Sequence, residues 1–253
     1  MIIALILILL IASLIELLYG SRVLGLLFLL SLIIVLSKFK GEKRIERKYK
    51  IVGLLIVAFV IIYNKNGLGV LDVMLMLMGI SLALSGSVIA YFTFVMSSFF
   101  VVSFILLYSL PHALGIPLPY YYGHYLVALP VVEILRRLGY DVCLSSMRTI
   151  TVNGIQPVNL IIELSCFGWY SLLIALGAIL AYSKTMNVRN VSKLILATAF
   201  AVYLANLLRI AILVVVAYDF GIEKMLLIHA HIGWILFASI VVPLLYILNN
   251  SRS

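Results

Sequence analysis

Apolar runs of bilayer-spanning length recur along nearly the whole chain, at about 2–19, 23–37, 51–63, 70–84, 88–108, 161–182, 193–218 and 225–248. They are separated by short polar breaks: GSR at 20–22, NKNGLG at 64–69, SGS at 85–87 and SKTMNVRNVSK at 183–193. Hydrophobic residues make up 65% of the chain and charged ones 11%. No water-soluble fold hides that much apolar surface. The expected class is an all-α polytopic membrane protein of about eight transmembrane helices. The third and fourth runs are short enough to be tilted or partly re-entrant. The first run has no basic segment ahead of it and no small-x-small cleavage site, so it reads as a retained span.

Lys and Arg orient the bundle. The loop KFKGEKRIERKYK at 38–50 holds seven of the eighteen, and 183–193 holds three. Both belong in the cytoplasm under the positive-inside bias. Eight spans satisfy this throughout, with both termini inside: the short inner segments and the C-terminus carry eleven Lys/Arg, the short outer ones three. The net charge of +9 therefore reflects topology, and no aromatic-interleaved basic groove points to nucleic acid.

Residues 109–160 then lie outside. They open with prolines and a Tyr cluster suited to a headgroup boundary. VVEILRRLG follows, with one apolar and one charged side, as for a helix along the interface. The Asn153-Gly154 pair after TITV signals a hairpin. One unit covers 1–253: generic N-terminal spans at 1–108, an extracytoplasmic helix/β-hairpin element at 109–160, and spans carrying the chemistry at 161–248.

Three polar positions in those last spans stand out. Cys166, in ELSCFGWYSLL, opens the sixth span with Glu163 and Gly168 close by. Arg209 sits inside the seventh, about 24 Å above its inner end at residue 193. Asn206 shares its helical face. An ionised Arg at that depth snorkels, pairs, or faces a polar cavity. His229 and His231 lie in the first two turns of the eighth span but point about 200° apart. Gly233, four residues after His229, shares its face and admits a close neighbouring helix, which favours His229 as the inward one. Cys166, Arg209 and His229 thus come from three spans and meet near the outer leaflet. A thiol becomes nucleophilic as a thiolate, which a cation or imidazole promotes. His229 would take and return the proton, and Arg209 would stabilise thiolate or oxyanion.

These residues resemble the exosortase/archaeosortase family of multi-span membrane cysteine transpeptidases, from the Tyr-rich segment through the eighth span. Cys166-Phe167-Gly168 matches the family's cysteine and glycine at the start of a helix, with Phe167 where serine is common. Asn206-Leu207-Leu208-Arg209 matches its Asn-x-x-Arg, and His229 ahead of Gly233-Trp234 matches its His/Arg position. The resemblance implies catalytic Cys166, Arg209 and His229, with Asn206, His231 and Gly168 in support. It implies cleavage of secreted proteins ending in a tripartite tail of motif, transmembrane helix and basic cluster. A thioester would form, and the new C-terminus would pass to an amine on a lipid or glycan carrier. The site would face the outside of the cell membrane, in contact with membrane lipid. No cofactor or metal is expected, since Cys, His and carboxylates at zinc-ligand spacing are missing. The competing class is a small transporter or channel-like protein with Arg209 and the histidines along a solute path. Such a protein would survive loss of Cys166, and the inverted repeats common in transporters are not found.

Overall fold

A computed structural model describes residues 45–63, 69–84, 87–186 and 191–250, together with Leu9, Ser13 and Ser31. The first two expected spans, the outer break at 20–22 and most of the basic loop 38–50 fall outside the described residues. So do most of the breaks at 64–69 and 85–87, and the central part of 183–193.

The described residues form six long helices: α1 (Lys50–Tyr63), α2 (Val70–Ala83), α3 (Val88–Ala113), then, after an interposed small layer, α6 (Trp169–Met186), α7 (Val191–Phe220) and α8 (Ile222–Asn250). The interposed layer holds two short helices, α4 (Leu118–Tyr122) and α5 (Leu129–Arg137), and three strands. By length and composition α3, α7 and the Ile222–Ser239 part of α8 can each cross a bilayer, whereas α1, α2 and Trp169–Lys184 are apolar but shorter. Each long helix packs on its neighbour in the order α1, α2, α3, α6, α7, α8. On α7 the large residues Leu196, Phe200, Leu204 and Leu208, at intervals of four, are 40–71% exposed. Such a stripe is stable only against an apolar solvent, as lipid provides.

Aromatic packing joins α3 to α6: Phe104 lies 4.8 Å from Tyr108 and 6.1 Å from Tyr170 between ring centroids. Two proline-linked irregularities shape the layer above. Residues Ile105–Ser109 and Gly123–Ala128 form single π-turns, shortly before Pro111 and Pro130. A proline has no N–H for the carbonyl four residues back, so a regular α-turn fails there. For Pro130 that carbonyl belongs to Leu126, and the Tyr203 hydroxyl of α7 donates to it at 2.8 Å.

The amphipathic segment behaves as its pattern requires. In α5, Val131, Val132 and Leu135 are buried, while Glu133 and Arg137 pair on the outer side at 3.1 Å. The hairpin expectation holds and is extended by a strand. Strands β1 (Val142–Ser146), β2 (Thr149–Asn153) and β3 (Pro157–Ile161) form an antiparallel sheet in that order. Alternation on β2 buries Ile150 and Val152 against α5 and α7, and Thr149, Thr151 and Asn153 face away. The sheet is pinned to the end of α7: the Ile155 N–H donates to the Tyr218 carbonyl at 3.0 Å, and Tyr140 meets Tyr218 edge-on.

One boundary is corrected. The sixth apolar run reads as spanning from residue 161, but helix α6 starts at Trp169. Residue 161 ends β3, and Leu164–Phe167 make a turn of 3-10 helix. Apolar residues there continue a β-strand and a turn packed on protein, which hydropathy alone does not distinguish from a helix.

Candidate active site

Cys166 sits in the 3-10 turn between β3 and α6, with its N–H donating to the Glu163 carbonyl at 2.8 Å. Two local features hold that turn. Gly168 closes it in the left-handed region, at φ 73° and ψ 5°. A Cβ there would also lie 2.6 Å from Cγ of Asn206, so α7 approaches the turn as closely as glycine allows. Phe167 points the other way and is fully buried. Its ring fills the space that a side chain at Gly123 would need, and meets Tyr120 edge-on at 6.2 Å. The two residues that follow Cys166 are therefore locked, Phe167 against Gly123 and Gly168 against Asn206 of α7.

The next residue, Trp169, is gripped edge-on by Tyr122 at 5.2 Å. Burial, with the neighbouring Tyr203 phenol adding to it, pushes the Tyr122 phenol up to about 12, so it remains a neutral packing group.

A cavity of about 400 Å³ opens beside the turn. Cys166, Glu163 and His229 line it, together with Asn159 and Ile161 of β3 and an apolar wall that includes Leu213 and Met225. A second, smaller space is bounded by Gly168, Ser171, Asn206, Arg209 and Gly233. Helix α8 contributes to both through His229 and, one turn on, Gly233. His229 is half-buried and within electrostatic reach of Arg209. His231 is half-buried on another side of α8 and does not line the Cys166 cavity.

Arg209 and Asn206 face inward from α7. Arg209 Nε and Asn206 Nδ2 are both buried, and neither has an acceptor among the described residues. Buried donors are nearly always satisfied, and leaving one unpaired costs about 1–3 kcal/mol. Two of them side by side next to the cysteine turn favour a group that brings negative charge.

The structure therefore brings Cys166 and His229 to one cavity, and Arg209, Asn206 and Gly168 to a second, smaller space. Cys143 is elsewhere, exposed on β1, and neither cysteine is in a disulfide. Sequence reasoning assigns no role to Phe167, Gly123 or β3. The Phe167–Gly123 fit joins residues 44 positions apart in the chain. A local signal existed only for β3, whose β-rich run follows the Asn-Gly turn.

A family model of transmembrane exosortases matches residues 17–246. The chain belongs to the exosortase family. The match takes in α1, α2 and α3 as well as the cysteine turn, α7 and most of α8, and it makes this exosortase a membrane protein of exosortase type. No curated protein and no solved structure matches the chain. Among the described residues of this exosortase, no group of three or more His, Cys, Asp or Glu side chains is placed to hold a metal ion.

The glycine that closes the turn offers a direct test of how tightly the thiol must be placed. Gly168→Ala puts a Cβ into Asn206 and forces a residue with a side chain into the left-handed region, at about 1–2 kcal/mol. Misplacing a reacting group by about 1 Å can cost ~10²-fold. The expected result is a ~10²-fold fall in kcat with a melting temperature lowered by only a few degrees. Turnover of the proposed substrate and a thermal melt in detergent measure the two effects separately.

Proposed function

We propose that this exosortase is a cysteine transpeptidase that cleaves the C-terminal sorting tail of secreted proteins and passes the new C-terminus to an amine on a lipid or glycan carrier. The observation that carries this reading is the single cavity shared by Cys166 and His229 in a chain of the exosortase family. Eight spans with both termini in the cytoplasm, and the 109–160 layer outside, would open that cavity at the level where a membrane-anchored tail presents its motif.

The chemistry follows from the residues present. The His229 imidazole takes the Cys166 proton, and the thiolate attacks the scissile carbonyl carbon. The carbonyl π electrons move to oxygen, and the oxyanion gains the donors of Arg209 and Asn206 that are otherwise unpaired. Because that charge exists only in the transition state, those donors lower the barrier more than they tighten ground-state binding. As the C–N bond breaks, the imidazolium returns its proton to the departing amine, leaving a thioester on Cys166. An acceptor amine then attacks the thioester, an amide forms, and the thiol is regenerated. The apolar wall excludes water, which favours an amine over hydrolysis.

The test is coexpression with a secreted protein from the same genome that ends in a motif, an apolar span and a basic cluster. Shortening of that protein, with a hydroxylamine-sensitive enzyme adduct, is the expected outcome. An intact tail in the presence of folded wild-type enzyme sinks the reading.

Arg209 provides a sharper prediction. A snorkelling Arg is replaced well by Lys, whose stem keeps its charge in the headgroups. A planar guanidinium aiming several donors at one point is not. Arg209→Lys is expected to fold and bind a tailed substrate yet turn it over ~10²–10³-fold more slowly, the usual cost of a lost oxyanion donor. Arg209→Ala is expected to be inactive while melting no lower than the parent. A substrate gel shift run beside the melt separates these outcomes, and near-normal cleavage by the Lys variant would reduce Arg209 to a packing residue.

A further inference from the structure

Strand β3 is the edge of its sheet and runs directly into the cysteine turn. Its ladder phase follows from one bond just beyond it: the Ile162 N–H donates to the Arg148 carbonyl at 2.7 Å. The register continues Thr149↔Ile161, Ile150↔Leu160 and Thr151↔Asn159. In an antiparallel pair, hydrogen-bonded and non-bonded positions alternate. Val158, Leu160 and Ile162 therefore turn their main-chain groups toward β2, and Asn159 and Ile161 turn theirs away. The cavity runs along β3, where every residue from 159 to 162 lines it, and Ile150 of β2 and Ile222, Met225 and Leu226 of α8 complete this part of its wall. The outward N–H and C=O groups of Asn159 and Ile161 have no backbone partner among the described residues. The edge also has a defined start, because Pro157 has no N–H to offer.

We infer that the outer edge of β3 is a strand-addition site, on which the substrate tail pairs as an extended peptide with its scissile bond delivered to Cys166. This rests on the transpeptidase reading above. Two features of the site favour a peptide over other occupants. Paired N–H and C=O groups, two residues apart along the chain, match the repeat of an extended backbone and no other common ligand. A cavity of about 400 Å³ between β3 and α8 admits a short extended segment but not a second sheet. Main-chain pairing supplies affinity that is independent of sequence. The apolar wall formed by Leu213, Val214 and Met225 then reads every second side chain. Such a site would admit tails on different cargo proteins, because the cargo upstream of the paired residues contributes nothing.

The test uses a peptide with the motif and apolar segment of a tailed secreted protein from the same genome, N-methylated at one amide at a time ahead of the cleavage site. Strand addition predicts alternation: methylation at every second amide raises KM about tenfold with kcat nearly unchanged, and the intervening positions are close to silent. Ile161→Pro removes one outward donor without touching the β2 ladder, and is expected to raise KM for the unmodified peptide by a similar factor. If that variant melts far below wild type, the methylation scan on wild-type enzyme decides alone. Uniform or absent effects along the scan overturn strand addition while leaving the transpeptidase in place. Failure of wild type to cleave the unmodified peptide overturns both.

Discussion

Replacing Cys166 with alanine or serine is expected to abolish processing of a tailed substrate, whereas Cys143→Ser leaves it nearly unchanged. The contrast follows from placement. Cys143 is exposed on β1, where its side chain borders no cavity described above, and its loss removes only a surface thiol. Cys166 lines the cavity it shares with His229, and no other described cysteine can replace it. Serine keeps the shape but not the chemistry. A hydroxyl is far less acidic than a thiol, and a lone imidazole suffices for the thiol without the further preorganisation that serine enzymes require. The readout is the mobility of the substrate with and without its C-terminal tail, with hydroxylamine trapping to report the thioester. Full activity in Cys166→Ala would remove the enzyme reading and put the solute-path alternative in its place.

The second large effect separates the two histidines of α8. His229→Ala is expected to slow turnover ~10²–10⁴-fold, the usual cost of losing a general base, and His231→Ala to be mild. His229 lines the cavity with Cys166, and one turn further on Gly233 borders the space next to Arg209. His231 lies about 200° round the helix. Single-turnover rates of enzyme acylation measure the proton-transfer step directly. The reverse ranking would keep a cysteine mechanism and move the proton to His231, through a rotation of α8 of roughly half a turn.

The helices were readable because a hydrophobic run of that length has few other uses. The expected runs at 51–63, 70–84, 193–218 and 225–248 each fall within three residues of the ends of α1, α2, α7 and α8. Helical periodicity and one glycine point to His229, and His229 lines the Cys166 cavity while His231 does not. What could not be read depends on contacts between distant positions. Nothing near Phe167 says that its ring will occupy the side-chain space of Gly123, or that Asn206 will close on Gly168. The start of α6 was misplaced because the residues from 161 to 168 are apolar enough to join the helix, whereas Ile161 ends β3 and Leu164–Phe167 form a 3-10 turn. The strand β1 was missed because VCLSS is a short run, and only its partner across the Met147–Arg148 turn makes it a strand.

Helix α7 touches every part of this arrangement. Its end holds the sheet through Tyr218, its middle carries Arg209 and meets the cysteine turn at Asn206, and Tyr203 holds the segment around Leu126. In engineering terms α7 is a common datum: thiol, guanidinium and strand edge are all positioned from one 30-residue rod. Errors of placement therefore do not accumulate from element to element. When the bilayer thickens or thins, α1 and α2 can tilt to follow it while thiol, guanidinium and strand edge travel together. Only bending of α7 itself, or slippage of α8 along it, changes the distances that matter. A membrane enzyme that works amid fluctuating lipid gains from having its tolerance set by a single part.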